Sequence, residues 1–269
     1  MADNTIAESE TRMRIASVGH VVFAVTMIAL GILGLIQGDF TQVFQPVPKG
    51  VPAREALAYV CAVLCIAGGA GLLWQRSATI AARMLLALIA FWTLLCKARF
   101  IVLAPLQEGT YQSIGENAVI IAGAWVLYVW FAADWDRRRL AFAVGDNGLR
   151  IARGLYALAM IAFGLSHFFY LQMTAPLVPP WLPGPVFWAY FTGVTYLLAG
   201  AAMLVGVYAS LAAVLSTLQM GLFTVLVWVP FMAAGTMDAG KWGEFVVSWT
   251  LTASAWVVAD SYRKNAVIR

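Results

Sequence analysis

The sequence predicts an all-α membrane protein of eight transmembrane helices, arranged as two four-helix bundles that repeat one another in parallel. Three observations carry this. First, the 269 residues are 62% hydrophobic and 11% charged, with a mean hydropathy of +0.82, whereas soluble domains are about 25% charged. Second, the chain from Gly154 to Met237 contains no Asp, Glu, Lys or Arg. At about 1.5 Å per helical residue, that stretch is long enough for three crossings of a hydrocarbon layer about 30 Å thick. Third, the halves match in order. Met27-Ile-Ala-Leu-Gly31 pairs with Met160-Ile-Ala-Phe-Gly164, Ala67-Gly-Gly-Ala70 with Ala199-Gly-Ala-Ala202, and Trp130-Phe-Ala-Ala-Asp134 with Trp256-Val-Val-Ala-Asp260. Four spans per half is an even number, so both halves insert with the same orientation, about a pseudo-two-fold axis along the membrane normal.

After a polar tail, residues 1–14, the first span is Ile15 to Ile36, too long and lacking the small-residue cleavage site of a signal peptide. An outer loop with Asp39, Pro46, Pro48, Lys49 and Pro52 leads to span 2, Leu57 to Trp74, whose Gly68, Gly69 and Gly71 permit close helix approach. Span 3, Ala78 to Ala104, has a short uncharged centre from Met84 to Cys96, so Arg83, Lys97 and Arg99 are expected to snorkel to the two surfaces. Glu116 leads into span 4, Asn117 to Ala133, which completes the first unit, residues 15–133.

Residues 134–149 hold the densest charge run, Asp134 to Arg139, and read as a basic linker. The second unit, residues 150–260, contains span 5 from Gly154 to Gln172, span 6 from Phe187 to Val205, span 7 from Ala209 to Ala234 and span 8 from Phe245 to Ala259. Pro176, Pro179, Pro180, Pro183 and Pro185 exclude a continuous helix between spans 5 and 6. Trp181 and Trp188 set that hairpin at headgroup level. Residues 261–269 form a terminal tail. Arg12, Arg14, Arg76, Arg83, the Arg137 to Arg153 cluster, Arg263, Lys264 and Arg269 fall on one side, against Lys49, Arg54, Lys97, Arg99 and Lys241 on the other, so both termini are expected in the cytoplasm.

The net charge of +4 is carried by arginines beside span ends, which insertion explains without a nucleic-acid partner. Cys61, Cys65 and Cys96 all lie in apolar runs, where cysteine behaves as a small hydrophobe; a redox role for Cys61 and Cys65, one helical turn apart, is the alternative reading. No Walker loop, dinucleotide fingerprint, zinc spacing or nucleophile elbow is present, so catalytic residues are not assigned and no metal site is expected.

Val178-Pro-Pro-Trp-Leu-Pro183, Phe187-Trp-Ala-Tyr-Phe-Thr-Gly193, Leu198-Ala-Gly200 and Gly164-Leu-Ser-His-Phe168 together resemble the DoxX-like family of bacterial integral membrane proteins. The likeness covers about Arg150 to Asp260, and the first half only through the internal repeat. It implies a multi-pass protein of the bacterial cytoplasmic (inner) membrane. It also implies an auxiliary, quinone-linked subunit of a redox assembly, non-catalytic on its own, with a quinone rather than an intrinsic cofactor. Where relatives carry histidines in spans 2 and 3 of the four-span unit, this chain has Tyr196 and Trp228, a departure that weighs against catalysis by the chain itself. Expected partners are membrane lipids and either a redox protein complex or further copies of the chain. A carrier for a small lipophile or oxyanion, and a structural docking subunit, stay open as alternatives.

His167 is one candidate ligand-binding residue, as a proton relay, a quinone hydrogen-bond partner or a metal ligand, against the plainer reading of a neutral imidazole bonded to a neighbour. A shared iron with His20 is disfavoured, because the two lie about 12 Å apart along the normal at 1.5 Å per residue. Lys97, Arg99, Glu116, Lys241 and Glu244 form a candidate polar mouth, in which Arg99 is expected to pair with Glu116 or Glu244. Glu116 and Glu244 are also expected to open their helices, where the dipole favours a carboxylate. Trp181, Trp188, Tyr190, Tyr196 and Trp228 are candidates to wall a flat ligand, or belong to an interfacial aromatic belt.

Overall fold

A computed structural model describes residues 15–263. Arg12, Arg14, Lys264, Arg269, the tail 1–14 and most of the tail 261–269 lie outside those residues. Eight long helices are formed: α1 (Val18–Gln37), α2 (Arg54–Leu72), α3 (Ala78–Trp92), α4 (Glu108–Phe131), α5 (Gly145–Phe169), α6 (Pro185–Val205), α7 (Ala209–Ala233) and α8 (Ala239–Ser261). A π-helical turn, Thr93–Lys97, prolongs α3, so that the helical run reaches Leu103. Seven of the eight, all but α8, are long and apolar enough to cross a membrane. Their outer surfaces carry exposed Leu, Val, Ile and Phe in abundance, among them Leu94, Val102, Leu198, Val205 and Leu215. Contiguous apolar surface on this scale belongs against lipid. The chain is therefore an all-α, multi-pass membrane protein.

Successive helices run antiparallel. In α1 and α2, a Cβ on Gly31 would meet the backbone at Ala62 and Ile66, while one on Gly69 would meet it at Ala24 and Ile28. In α5 and α6, the same reciprocal approach recurs, with Gly164 against Gly193 and Leu197, and Gly200 against Ala157 and Ile161. The residue that packs like Gly200 is thus Gly69, one position beyond the Gly68 that the sequence match pairs with it. Gly68 instead receives the Leu85 side chain. Without a hydrophobic drive between spans, such backbone approaches and interhelical hydrogen bonds hold the bundle. Tyr156 with Ser216, Thr224 with Thr252, and Trp228 with Ser248 supply rungs at 2.9, 3.1 and 3.1 Å.

Helix α8 packs against α1, α4, α5 and α7. This placement explains its lower hydropathy, since fully buried Thr250 and Ser254 satisfy their hydroxyls on the α8 backbone rather than facing lipid. Its end is tied to α1 by Asp260, whose buried carboxylate accepts the Gly19 N–H at 3.1 Å, in the first turn of α1.

Several boundaries move relative to the sequence reading. Helix α4 begins at Glu108 rather than Asn117, and α5 at Gly145 rather than Gly154. The linker is a short helix, Asp134–Arg139, followed by a 3₁₀ turn, Ala141–Ala143, because polar residues beyond the apolar core can prolong a helix as readily as end it. The proline hairpin is irregular as expected, with Pro185 at the first position of α6 and Gly184 at φ +72° before it.

Asp136, in the charge run, is completely buried rather than solvated. It accepts bonds from Arg83, Tyr128 and the Ala133 N–H, joining α3, α4 and the short helix. Arg83 therefore ends in an ion pair rather than a simple snorkel. Burial alone would raise the Asp136 carboxyl, but the Arg83 bond, with the Ala133 and Tyr128 bonds, outweighs it and holds the group below its ordinary 3.8.

A depressed folded value stabilises above the unfolded value and is lost as pH falls through the folded one. Asp136→Asn should therefore cost about 1–3 kcal/mol near neutrality, and thermal melting in detergent should show the gap to wild type closing at pH below 3.8. Gly69→Val should cost about 1–3 kcal/mol by overpacking. Gly154→Ala, whose Cβ would meet nothing within 4 Å, should be neutral or stabilising by up to about 1 kcal/mol in the same assay.

Candidate functional site

The π turn after α3 directs Thr93, Cys96 and Lys97 inward and leaves Leu94 and Leu95 exposed. Such turns are rare in proteins and concentrate at functional sites. Lys97 does not snorkel. Only 4% of it is exposed, and its ammonium donates to the Ser113 carbonyl at 3.0 Å and to Asn117 Oδ1 at 2.9 Å, with Glu116 Oε2 at 3.6 Å. The three N–H donors of the ammonium are thereby directed at three oxygens. Asn117 donates in turn to Thr93 Oγ1 at 2.7 Å, which donates to the Ile89 carbonyl at 2.7 Å. One amide thus clamps both ends of the π turn to α4. The Glu244 side chain of α8 makes no hydrogen bond or ion pair among the described residues and is exposed.

The cluster therefore unites Lys97 and Glu116, and it leaves out both Glu244 and Arg99. That guanidinium is exposed and rests over the Phe100 ring at 5.0 Å, with no carboxylate at ion-pair distance among the described residues. The expected Arg99 to Glu116 pair is corrected to Lys97 to Glu116. The π turn, invisible in composition, decides which of the two cations faces the bundle. Lys241 turns to the Thr236 carbonyl at 2.8 Å and to Asp238 at 3.2 Å. The dipole argument for the carboxylates also falls. Glu116 lies more than two turns inside α4 and Glu244 more than one turn inside α8, beyond the first turn where the effect acts.

The second candidate group lies by the hairpin. His167 is half-buried near the end of α5, and its Nδ1 faces the Phe163 carbonyl at 2.8 Å. A carbonyl can only accept, so the proton sits on Nδ1 and Nε2 is an acceptor, for which no partner exists among the described residues. Tyr196 is buried with its ring centroid 5.7 Å from the imidazole, and Phe163 touches Tyr196 at 6.1 Å. The exposed Tyr190 leans on Phe168 at 5.4 Å, and Gly193 lets the backbone of α6 approach the His167 Cβ. Trp188 donates to the Pro183 carbonyl at 3.0 Å, locking the hairpin onto α6, while Trp181 is exposed on the hairpin itself. Trp228 is drawn away to Ser248.

His20 differs from His167. Fully buried in α1, it accepts from the Ala16 N–H at 3.2 Å and faces the Leu72 carbonyl at 3.1 Å, so both ring nitrogens are engaged. The three cysteines are free and buried, and Cys61 accepts a bond from the Trp92 indole. The cavity beside Cys61 and Cys65 holds about 10 Å³, room for one water at most.

Sequence reasoning missed Thr93, Ser113 and Asn117. An asparagine in an apolar run was the available signal, yet it reads as a helix start. It also missed Glu108, both of whose carboxylate oxygens are shielded and unpartnered among the described residues. Comparison with protein-family models, curated proteins and solved structures finds no match for this chain.

Removing the buried ammonium leaves Glu116 uncompensated, so Lys97→Leu should lose about 3–5 kcal/mol. Arg99→Leu should change stability by no more than about 0.5 kcal/mol. Melting of the two purified variants in one detergent checks the contrast.

Proposed function

We propose that this chain is an auxiliary, quinone-linked subunit of a membrane redox assembly, binding a lipophile with a hydrogen-bonding headgroup rather than catalysing alone. The observation that carries this reading is the unpartnered Nε2 of His167. A quinol hydroxyl is the complementary donor, and the exposed Phe168 and Tyr190 offer aromatic surface for its ring. The resemblance to DoxX-like proteins points to the same class of ligand. The oxyanion-carrier alternative is less well supported, because the Lys97 donors are already directed at Ser113, Asn117 and Glu116.

Within this reading all eight long helices span a bacterial inner membrane as two parallel four-helix units, with the hairpin on the outer side and both termini cytoplasmic. The matching glycine approaches of α1 with α2 and of α5 with α6 support the repeat. So do the equivalent contacts of α4 with α5 and of α8 with α1. The site would then receive its ligand from the outer leaflet.

Native mass spectrometry of the full chain in mild detergent, with titration of a short-chain quinol followed by tryptophan fluorescence, tests the reading. Binding weakened about five- to tenfold in His167→Phe is expected for one lost hydrogen bond. A wild-type protein that takes up no quinol, or a variant that binds it equally well, would overturn it.

A further inference from the structure

The charge run after α4 is held in place by the one member that faces inward. Asp136 accepts from Arg83, Tyr128 and the Ala133 N–H, which pins the short helix Asp134–Arg139 against the bundle. Arg137 turns back to the Ala132 carbonyl at 3.1 Å. Residues three and four apart share a helix face, so Trp135, Arg138 and Arg139 are left together on the side away from Asp136. With Asp134 they line an open surface hollow of about 320 Å³, far more than a water requires. Arg138 and Arg139 are exposed and make no hydrogen bond or ion pair among the described residues. Trp135 is 58% exposed, and the Arg83 guanidinium lies 5.4 Å from its ring centroid, which steadies the indole in its outward position. Phe142, 64% exposed, belongs to the 3₁₀ turn that packs on the short helix. Both rings stand between the end of one apolar span at Phe131 and the start of the next at Gly145, the level at which hydrocarbon gives way to headgroups.

From this geometry we infer that the short helix is a docking site for an anionic glycerophospholipid, whose phosphate is held by Arg138 and Arg139 while Trp135 and Phe142 enter the interfacial layer beside it. A guanidinium matches phosphate oxygens with its planar fork, and basic residues beside a span are attracted to anionic headgroups. Asp134 sets the charge of the ligand. Two arginines against one aspartate leave the hollow with one positive charge, which a phosphodiester monoanion balances and a soluble phosphate dianion does not. An acidic protein surface would answer the arginines, but it would leave two exposed aromatic rings at headgroup level unexplained. The site goes beyond the quinol reading. It uses neither His167 nor Lys97, and it lies at the opposite end of α5 from the hairpin.

Photolabelling of the full chain tests the site, in phosphatidylcholine nanodiscs that carry a small share of phosphatidylglycerol with a photoactivatable headgroup, followed by peptide mapping of the adducts. Label should concentrate on residues 134–142. It should fall about fivefold in Arg138→Gln or Arg139→Gln and about thirtyfold in the double variant. Lys49→Gln combined with Arg99→Gln removes two exposed charges at the hairpin end and should leave the label unchanged. Adducts spread evenly around the bundle would overturn the site, as would an equal loss of label in that charge-matched control. Displacement of the label by inorganic phosphate would assign the arginines to a soluble anion, and displacement by polyglutamate would assign them to an acidic protein surface; either result overturns the lipid. If a variant does not fold, the wild-type adduct map and the two displacement arms still decide the matter.

Discussion

An ammonium enclosed by helices has no water to hydrate it, so the surrounding backbone and side chains must supply every bond that water would have given. Lys97 imposes this requirement on α4 and on the π turn that prolongs α3. The π turn presents the side chain, Asn117 and the Ser113 carbonyl receive it, and Glu116 compensates its charge. Each of these partners has a position fixed by the others, which makes the cluster a constraint on helix register as well as a site. Moving α4 by one residue along α3 would carry Asn117 away from both Thr93 and Lys97.

Elsewhere the bundle solves a milder form of the same problem. Apolar side chains gain little from leaving lipid for a helix interface, so association depends on close backbone approach and on polar rungs. The glycines at 31, 69, 164 and 200 provide the approach in two helix pairs with the same geometry. Tyr156, Trp228 and Thr224 provide rungs in the second half, while Trp249 reaches from α8 to Thr26 in α1 at 3.0 Å. Because α8 is covered by four other helices, it tolerates the serines and threonines that depress its hydropathy. A helix facing lipid on most sides could not.

The two polar groups differ in what they offer a ligand. At His167 one ring nitrogen is bonded to the α5 backbone and the other is left open beside aromatic rings, which suits an exchangeable lipophile. At Lys97 the donors are already directed at protein oxygens. Because α3 to α4, α5 to α6 and α7 to α8 all turn on the same face of the antiparallel bundle, both groups lie toward the face that bears the hairpin.

The sequence by itself determined the class of protein and most of its helices, because those follow from properties that survive without tertiary contacts. Apolar run length marks the spans and proline marks the break before α6, while the motif match set Gly68 against Gly200 where Gly69 packs. It also nominated Lys97, Glu116 and Glu244, as span-end charges expected to gather at one face. It could not tell Lys97 from Arg99, two residues apart, because their facing depends on a π turn that local propensity does not encode. It read Asp136 only as part of a charged linker, although that carboxylate is enclosed by groups from α3, α4 and its own short helix. Only tertiary structure decides such cases, because burial and charge balance depend on residues far apart in sequence that packing brings within a few ångströms.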